Sequence, residues 1–250
     1  MEIGSQKWKG IIREGAKAFG VPVTAEQTHI FAIHARELIR WNRKINLTAI
    51  VDPLEIAVKH FVDSIAPAST LPRHDAMLDI GSGGGFPGIP LKVLIPTLSA
   101  TLVDASRKKV SFLNHVCRII ELQDVDVRQI RGENIIVAPP SQETLSELPK
   151  PPHNRKVGDF SRPFGIIISR ALTSLKDFIL MALPMLSKNG LMVAMRGKTT
   201  EADLAFCRSM VSRHPIASAS GVDGLSVELR RYQLPFYAAE RSLLMIRKNG

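Results

Sequence analysis

Cysteine is scarce in this chain: its 250 residues hold two, Cys117 and Cys207, with no CxxC pair and no Cys/His spacing of a zinc site. A disulfide framework and a structural metal are therefore not expected, and a reducing cytoplasm is the compartment that fits. No run reaches the ~20 uncharged residues that a bilayer crossing requires, so no membrane attachment is expected. The first twenty residues mix Lys7, Lys9, Arg13 and Lys17 with Glu2 and Glu14 and lack the apolar centre of a secretion signal. No internal repeat is present. Acid is the minority sign, with 23 Asp and Glu against 33 Lys and Arg, and the resulting net charge of +10 suits a polyanionic partner. At 45% hydrophobic residues, the chain can bury the core of one large domain, or of a large domain with a small one.

From Ser5 to about Ala68 the periodicity is helical throughout, which predicts a helical N-terminal domain over 1–70. Between Thr24 and Ile45, Phe31, Ala35, Leu38, Trp41 and Ile45 fall on one side of a helix, and Arg36, Arg40, Arg43 and Lys44 roughly opposite. That basic stripe reads either as a solvated face or as an RNA contact. Beyond Leu71-Pro72 the rhythm changes to short apolar runs alternating with helices. Strands are predicted at Ala76 to Ile80, Ala100 to Val103, Val125 to Ile130, Gly165 to Ser169 and Leu191 to Met195. Helices are predicted at Gly88 to Leu94, Arg107 to Glu121, Leu175 to Leu186 and Glu201 to Arg213. This order makes 71–250 an α/β domain with a doubly wound parallel sheet. Ser226 to Gln233 and Ser242 to Arg247 follow each other without a helix signal and predict a closing antiparallel pair. Val137 to Pro163, rich in proline, serine and charge, is expected to be a flexible insertion.

The most informative stretch is Met77-Leu78-Asp79-Ile80-Gly81-Ser82-Gly83-Gly84-Gly85-Phe86-Pro87-Gly88. An apolar strand runs through an acid into five glycines within eight residues and then opens a helix. Bare backbone at a helix N-terminus is where a nucleotide cofactor lies, and Pro87 is expected in the first helical turn, where no amide donor is needed. Gly83, Gly85 and Gly88 also satisfy the dinucleotide pattern GxGxxG. Asp104, ending the second strand, would bind ribose hydroxyls in either an NAD or an S-adenosylmethionine site. Asp79 favours the latter, because an acid at the first strand's tip repels a pyrophosphate but not a sulfonium; it could in addition tie down the turn through backbone amides.

With these residues in place, the run Leu78 to Leu91 resembles the cofactor motif of the bacterial small-subunit rRNA guanine-N7 methyltransferases, the glucose-inhibited division protein B family, above all in Phe86-Pro87-Gly88-Ile89-Pro90. Trp41-Asn42 with Ile45-Asn46-Leu47-Thr48, His60 with Asp63-Ser64, Asp104-Ala105-Ser106-Arg107-Lys108-Lys109, and Ser169-Arg170-Ala171 with Ser174-Leu175 match in the family's order. The resemblance implies a class I S-adenosylmethionine-dependent methyltransferase with a Rossmann-like sheet and an N-terminal helical extension, acting on one guanine of 16S rRNA in the small ribosomal subunit. It implies that Gly81, Gly83, Gly85 and Phe86 line the cofactor, and that Asp104, Ala105 and Ser106 hold its ribose. Gly132 and Glu133 would meet the adenine end, and Arg170 would stand beside both cofactor and target base. Two departures stand out: Arg196-Gly197 replaces the family's Lys-Gly after the fifth strand, and the 137–163 insertion is longer than usual. Arginine keeps the charge but not the compact ammonium.

The chemistry open to these residues is consistent with that resemblance. Methylation at pyrimidine C5 would need a cysteine nucleophile, yet both cysteines fall within predicted helices, where they read as core fillers. An Asp/Asn-Pro-Pro-aromatic tetrad for amino-group methylation is absent. Guanine N7 presents a free lone pair and needs no general base. Arg170 is expected to position the nucleotide as the catalytic arginine, or alternatively to fix the helix after it, and Arg196 and Lys198 either to meet RNA phosphates or to lie in a solvated loop. His60 and Asp63 read as a structural pair bridging helix to sheet, outside the catalytic set. A monomer is expected. The alternatives are a methyltransferase for another RNA or a small molecule, and a catalytically silent nucleotide-binding RNA chaperone.

Overall fold

The computed structural model describes residues 1–130, 160, 162–170, 174–212 and 224–249. Gly132, Glu133 and all of the expected insertion except 160, 162 and 163 lie outside them. Seven strands form one sheet: β1 (Ala76–Ile80), β2 (Ser99–Asp104), β3 (Val125–Gln129), β4 (Phe164–Arg170), β5 (Leu186–Arg196), β6 (Leu225–Leu234) and β7 (Ala239–Lys248). Their order is β3-β2-β1-β4-β5-β7-β6, with β1 to β5 parallel and β7 antiparallel to both of its neighbours. The chain leaves β1 toward β2 on one side and β4 lies on the other, so the tip of β1 is the point where crossovers part and where open sheets bind ligands.

Apolar alternation fixes what each strand shows to each face. Met77, Ile166, Ile168, Leu191, Val193, Leu243 and Met245 join one core, and Leu78, Ile80, Ile167, Met192, Leu244 and Ile246 join the other. The first core is covered by α1 (Gln6–Lys17), α2 (Ala25–Ile45), a helical run through Pro53–Glu55 (α3), a π-helical segment Ile56–Val62 and Asp63–Ile65 (α4), and by α5 (Gly88–Leu94) and α6 (Arg107–Ile119). The second is covered by α7 (Leu175–Ala182) and α8 (Glu201–Ser212). Trp8, Phe31 and Phe61 share the first core with Phe86, Leu102 and Phe112, so the N-terminal helices bury their apolar faces directly on the sheet domain.

Local signals set the ends of these helices. Ser5 caps α1, Thr24 and Gln27 form a capping box on α2, and Asp52 Oδ1 accepts from the amides of Leu54 and Glu55 while Pro53 occupies the first position of α3. Pro87 departs from its expected place: it precedes α5 at the cap position, and Pro90 is the proline inside the first turn. The helix expected to reach Leu186 stops at Ala182, because Pro184 permits only a short 3₁₀ turn (Leu183–Met185) before β5 begins. β5 then bulges against β4: Leu186 pairs with Phe164 and Leu191 with Ile166, with Asn189 at φ 60° in the extra loop.

Among the described residues no helix is long and apolar enough to cross a membrane. Both cysteines are buried and free, and burial pushes the thiol of Cys117 up to about 12 and that of Cys207 up to about 11.

The joint between α2, β2 and the β1–α5 turn is packed without slack. A Cβ on Gly88 would stand 2.5 Å from Leu102 Cδ2 and 2.6 Å from Asp79 Oδ2. Gly88→Ala is expected to lower unfolding free energy by about 1–3 kcal/mol through overpacking, as read from denaturant midpoints. Unchanged midpoints would show that this joint yields.

Candidate active site

The five glycines of the loop after β1 do different work. Gly81, Gly83 and Gly85 take φ values of 77°, 58° and 88°, where any side chain is strained. Around Gly83 an added Cβ would meet nothing nearer than the Gly81 carbonyl at 3.8 Å, so this backbone faces open space. At Gly84, Gly85 and Gly88 the missing side chain also serves packing. Added Cβ atoms there would press on Leu38, on Ile89 and His34, and on Leu102 and Asp79, which makes their lack of a side chain a packing requirement.

Two carboxylates tie the loop down. Asp79 is fully buried; its Oδ2 accepts from the Gly88 amide at 2.9 Å, and its Oδ1 has no hydrogen-bond partner among the described residues. Burial pushes its carboxyl up to about 7. Asp104, at the tip of β2, accepts from the Gly83 amide at 3.0 Å and from the Ser106 amide at 2.8 Å, with Lys109 Nζ at 3.8 Å. Ala105 is exposed beside it. Asp79 thus both ties the turn and carries an unmet acceptor.

Phe86 is packed rather than open. Its ring lies between the His34 ring at 4.7 Å and the His60 ring at 4.5 Å, both nearly parallel to it, and only 4% of the residue is exposed. Side-chain contact with a cofactor, as the family likeness implied, is therefore limited, and the backbone of Phe86 is what the loop can present. His34 Nε2 donates to the Gly84 carbonyl at 2.8 Å, and burial lowers its pKa to about 4. His60 accepts at Nδ1 from Arg170 Nη2 (3.3 Å) and donates from Nε2 to Thr48 Oγ1 (3.0 Å). Burial, the Arg170 charge and His34 lower its pKa to about 3. Both imidazoles are neutral at physiological pH.

Arg170 shares the parity of Ile166 and Ile168 on β4, and so points from the first-core face toward the π-helical segment. Nη1 donates to the carbonyls of Lys59 (2.9 Å) and His60 (3.4 Å) and to Ser64 Oγ (3.4 Å), and the guanidinium carbon lies 5.1 Å from the Phe86 ring centroid. Asp63 Oδ2 is 3.6 Å away. Among the described residues the arginine is therefore bound to the helical run before β1, and not to the helix that follows it. A cleft of about 550 Å³ opens beside it, walled by Ile50, Lys59, His60, Asp63, Arg170, Met195, Arg196, Gly197, Lys198 and Arg241.

Of the cationic residues singled out in the sequence, the structure brings Arg170, Arg196 and Lys198 into this one wall; Arg196 Nε is buried there with no partner among the described residues. Arg36, Arg40, Arg43 and Lys44 are exposed on α2 and do not line the cleft; Arg40 pairs with Glu37 and Arg36 reaches the Ile3 carbonyl. His60 and Asp63, set aside as structural, do bridge helix to sheet, and they also line the cleft. Lys59, Tyr232 and Arg241 were missed. The signal for the last two was the alternation of β6 and β7, which puts Tyr232 with Leu234, and Arg241 with Leu243 and Met245, on the face that Arg170 shares. No group of three or more metal-ligating side chains occurs among the described residues.

A family model described as rRNA small subunit methyltransferase G matches residues 27–220. The chain belongs to this family. A ribosomal RNA small subunit methyltransferase G of Geobacter sulfurreducens is 38% identical over 239 residues, covering 94% of this chain and 95% of its own length. One of Oceanobacillus iheyensis is 32% identical, covering 93% and 87%. Among solved structures, an O-methyltransferase from Bacillus cereus in complex with SAH has a TM-score of 0.53 at 14% identity, covering 86% of this chain and 90% of its own. A putative O-methyltransferase from Klebsiella pneumoniae has the same TM-score at 12% identity, covering 98% and 99%. The fold is that of the class I methyltransferases, and the family's cofactor is S-adenosylmethionine. The residues fit it: an open glycine backbone, an unmet buried carboxylate oxygen and a second carboxylate at the next strand tip lie together.

The neutral histidines give folding a pH dependence of defined sign. His34 titrates near 6.5 when unfolded and about 4 when folded, so its contribution is whole above 6.5 and is lost as pH falls toward 4. Asp79, raised from 3.8 to about 7, acts in the opposite sense over the same range. Comparing wild type with His34→Gln at each pH isolates His34. Wild type should lose about 2 kcal/mol more than the variant between pH 7 and pH 5. Parallel pH profiles of the two proteins would show that His34 is not held neutral.

Proposed function

We propose that this chain transfers a methyl group from S-adenosylmethionine to N7 of a guanine in 16S rRNA of the small ribosomal subunit, the target nucleotide entering the cleft beside Arg170. The observation that carries this reading is the make-up of the cleft wall. Five cations, Lys59, Arg170, Arg196, Lys198 and Arg241, line it with one carboxylate, Asp63, and one imidazole, His60. Cations suit the phosphates and the O6 edge of a guanine nucleotide.

Both basic groups of that wall are already engaged by neighbouring side chains. His60 Nδ1 already accepts from Arg170, and Asp63 already accepts from Tyr232 and faces two arginines. Methylating an amino or hydroxyl group calls for a proton acceptor; methylating N7 does not. A cysteine-dependent route to a pyrimidine carbon is served no better, since both thiols are buried and raised. When bound, S-adenosylmethionine supplies an electrophilic methyl group on sulfur. The chain's own part is to hold and align: Gly81, Gly83 and Gly85 would offer backbone, Asp104 with Ala105 and Ser106 would take the ribose hydroxyls, and the buried Asp79 holds the turn from behind through the Gly88 amide. Gly132 and Glu133, assigned to the adenine end by the family likeness, lie outside the described residues. Arg170 orients the base, while Arg196 and Lys198 take neighbouring phosphates.

Three measurements test this. Asp104→Asn should weaken S-adenosylmethionine binding about tenfold or more in calorimetric titration, since it removes a charged acceptor, and an unaltered affinity would remove Asp104 from the site. Arg170→Ala should leave that affinity within about threefold while turnover on undermethylated small subunits falls about a hundredfold or more. Mapping 7-methylguanosine in 16S rRNA from cells lacking the gene should show one modification missing; a complete set of such marks would refute the assignment.

A further inference from the structure

Asp63 joins three strands at once. From α4 it accepts a hydrogen bond from the Tyr232 hydroxyl on β6 at 2.8 Å through Oδ1, faces Arg241 of β7 at 3.7 Å with the same oxygen, and faces Arg170 of β4 at 3.6 Å with Oδ2. Tyr232 and Arg241 are directly paired in the β6–β7 hairpin, and between β4 and that pair lies β5. Asp63 is 5% exposed, so its rotation is governed by these contacts and not by water. The two ion pairs lie beyond hydrogen-bond distance. The short Tyr232 bond is thus what fixes how the carboxylate is turned.

We propose that Tyr232 is a positioning residue for methyl transfer: its hydroxyl orients Asp63, and the oriented carboxylate sets the guanidinium of Arg170 toward the target nucleotide. The inference rests on the reading that Arg170 meets that nucleotide. Tyr232 does not touch the cleft and does not itself contact the reacting atoms. Burial and the Asp63 charge raise its hydroxyl pKa, so it stays a donor across the working range. Phe19 packs edge-on against its ring at 5.2 Å, which holds the phenol in place and leaves the hydroxyl as the removable part. The hairpin that closes the sheet thereby acts on an arginine three strands away in sheet order.

Tyr232→Phe removes that oxygen and keeps the ring. Turnover on undermethylated small subunits at saturating S-adenosylmethionine should fall about tenfold, with KM for S-adenosylmethionine and the melting temperature unchanged. A role in stability alone would lower the melting temperature and leave the turnover of the folded enzyme intact, and that result would overturn the proposal. Asp63→Ala removes the acceptor of the same bond and should also lower turnover. Adding Tyr232→Phe to it should cost nothing further, whereas additive losses would overturn the proposal. Arg170→Ala run in parallel separates the two readings: full activity there would remove the premise about Arg170, while impaired Arg170→Ala beside fully active Tyr232→Phe would refute the role of Tyr232 alone.

Discussion

A guanidinium buried beside the glycine loop has to be matched on every side, and meeting that demand organises the whole first-core face. Arg170 is charged whatever its surroundings, so the desolvation that lowers its pKa must be offset by acceptors. The π-helical segment supplies two of them as main-chain carbonyls, at Lys59 and His60. An ordinary helix keeps its interior carbonyls in its own ladder, and the widened turn is a recurrent way to aim them elsewhere. The same charge requires neutral rings nearby, and His60 is kept neutral by accepting from the arginine and donating to Thr48. Thr48 is in turn pinned by Asn42, whose amide group bonds both its carbonyl and its amide nitrogen. The Trp41-Asn42 to Leu47-Thr48 motif is therefore support for an imidazole that supports the arginine.

The glycine loop and the arginine are coupled through Phe86. Its ring fills the space between the two histidines, and its main chain belongs to the turn that also packs against α2 through Gly84 and α5 through Gly85. The N-terminal helices therefore pack against both. They cover the back of the glycine loop with Leu38 and His34 and, through the helical run after Asp52, provide the groups that hold Arg170. A Lys at position 170 could carry the charge but not face two carbonyls, a hydroxyl, an imidazole and a ring with one planar group.

Strand and helix placement was readable because each strand of the sheet is a short apolar run bounded by turns or loops, and β1, α5 and the hairpin β6–β7 follow the expected residues closely. The misses have local causes. Pro184 cut a helix short where apolar periodicity continued through Leu183 and Leu186, and the bulge at Asn189 lengthened β5 beyond its apolar segment. In the site, Asp79, Asp104 and Arg170 stood at strand tips and could be found by position. The grouping of Asp63 with Tyr232 and Arg241 joins residues more than 160 positions apart in the chain, a contact that no spacing encodes. What was readable there was parity alone: each of these strand residues alternates with core residues of the face that carries Arg170.

Charge is distributed on two scales. In the cleft, five cations line one wall, and four of them, all but the exposed Lys198, are partly buried, which protects their field from salt. The arginines and lysine of α2 are exposed and absent from the cleft wall, so their field is screened over about 8 Å at physiological ionic strength. They cannot set the geometry of the reacting base; with the net charge of +10 they can raise the rate at which a polyanion arrives. Among the described residues, Arg170 is the cation of this wall held by carbonyls, a carboxylate and an aromatic face together. A side chain fixed in that way can present one remaining edge to a ligand in a single orientation, and alignment is what the attack of a ready lone pair on a methyl group requires.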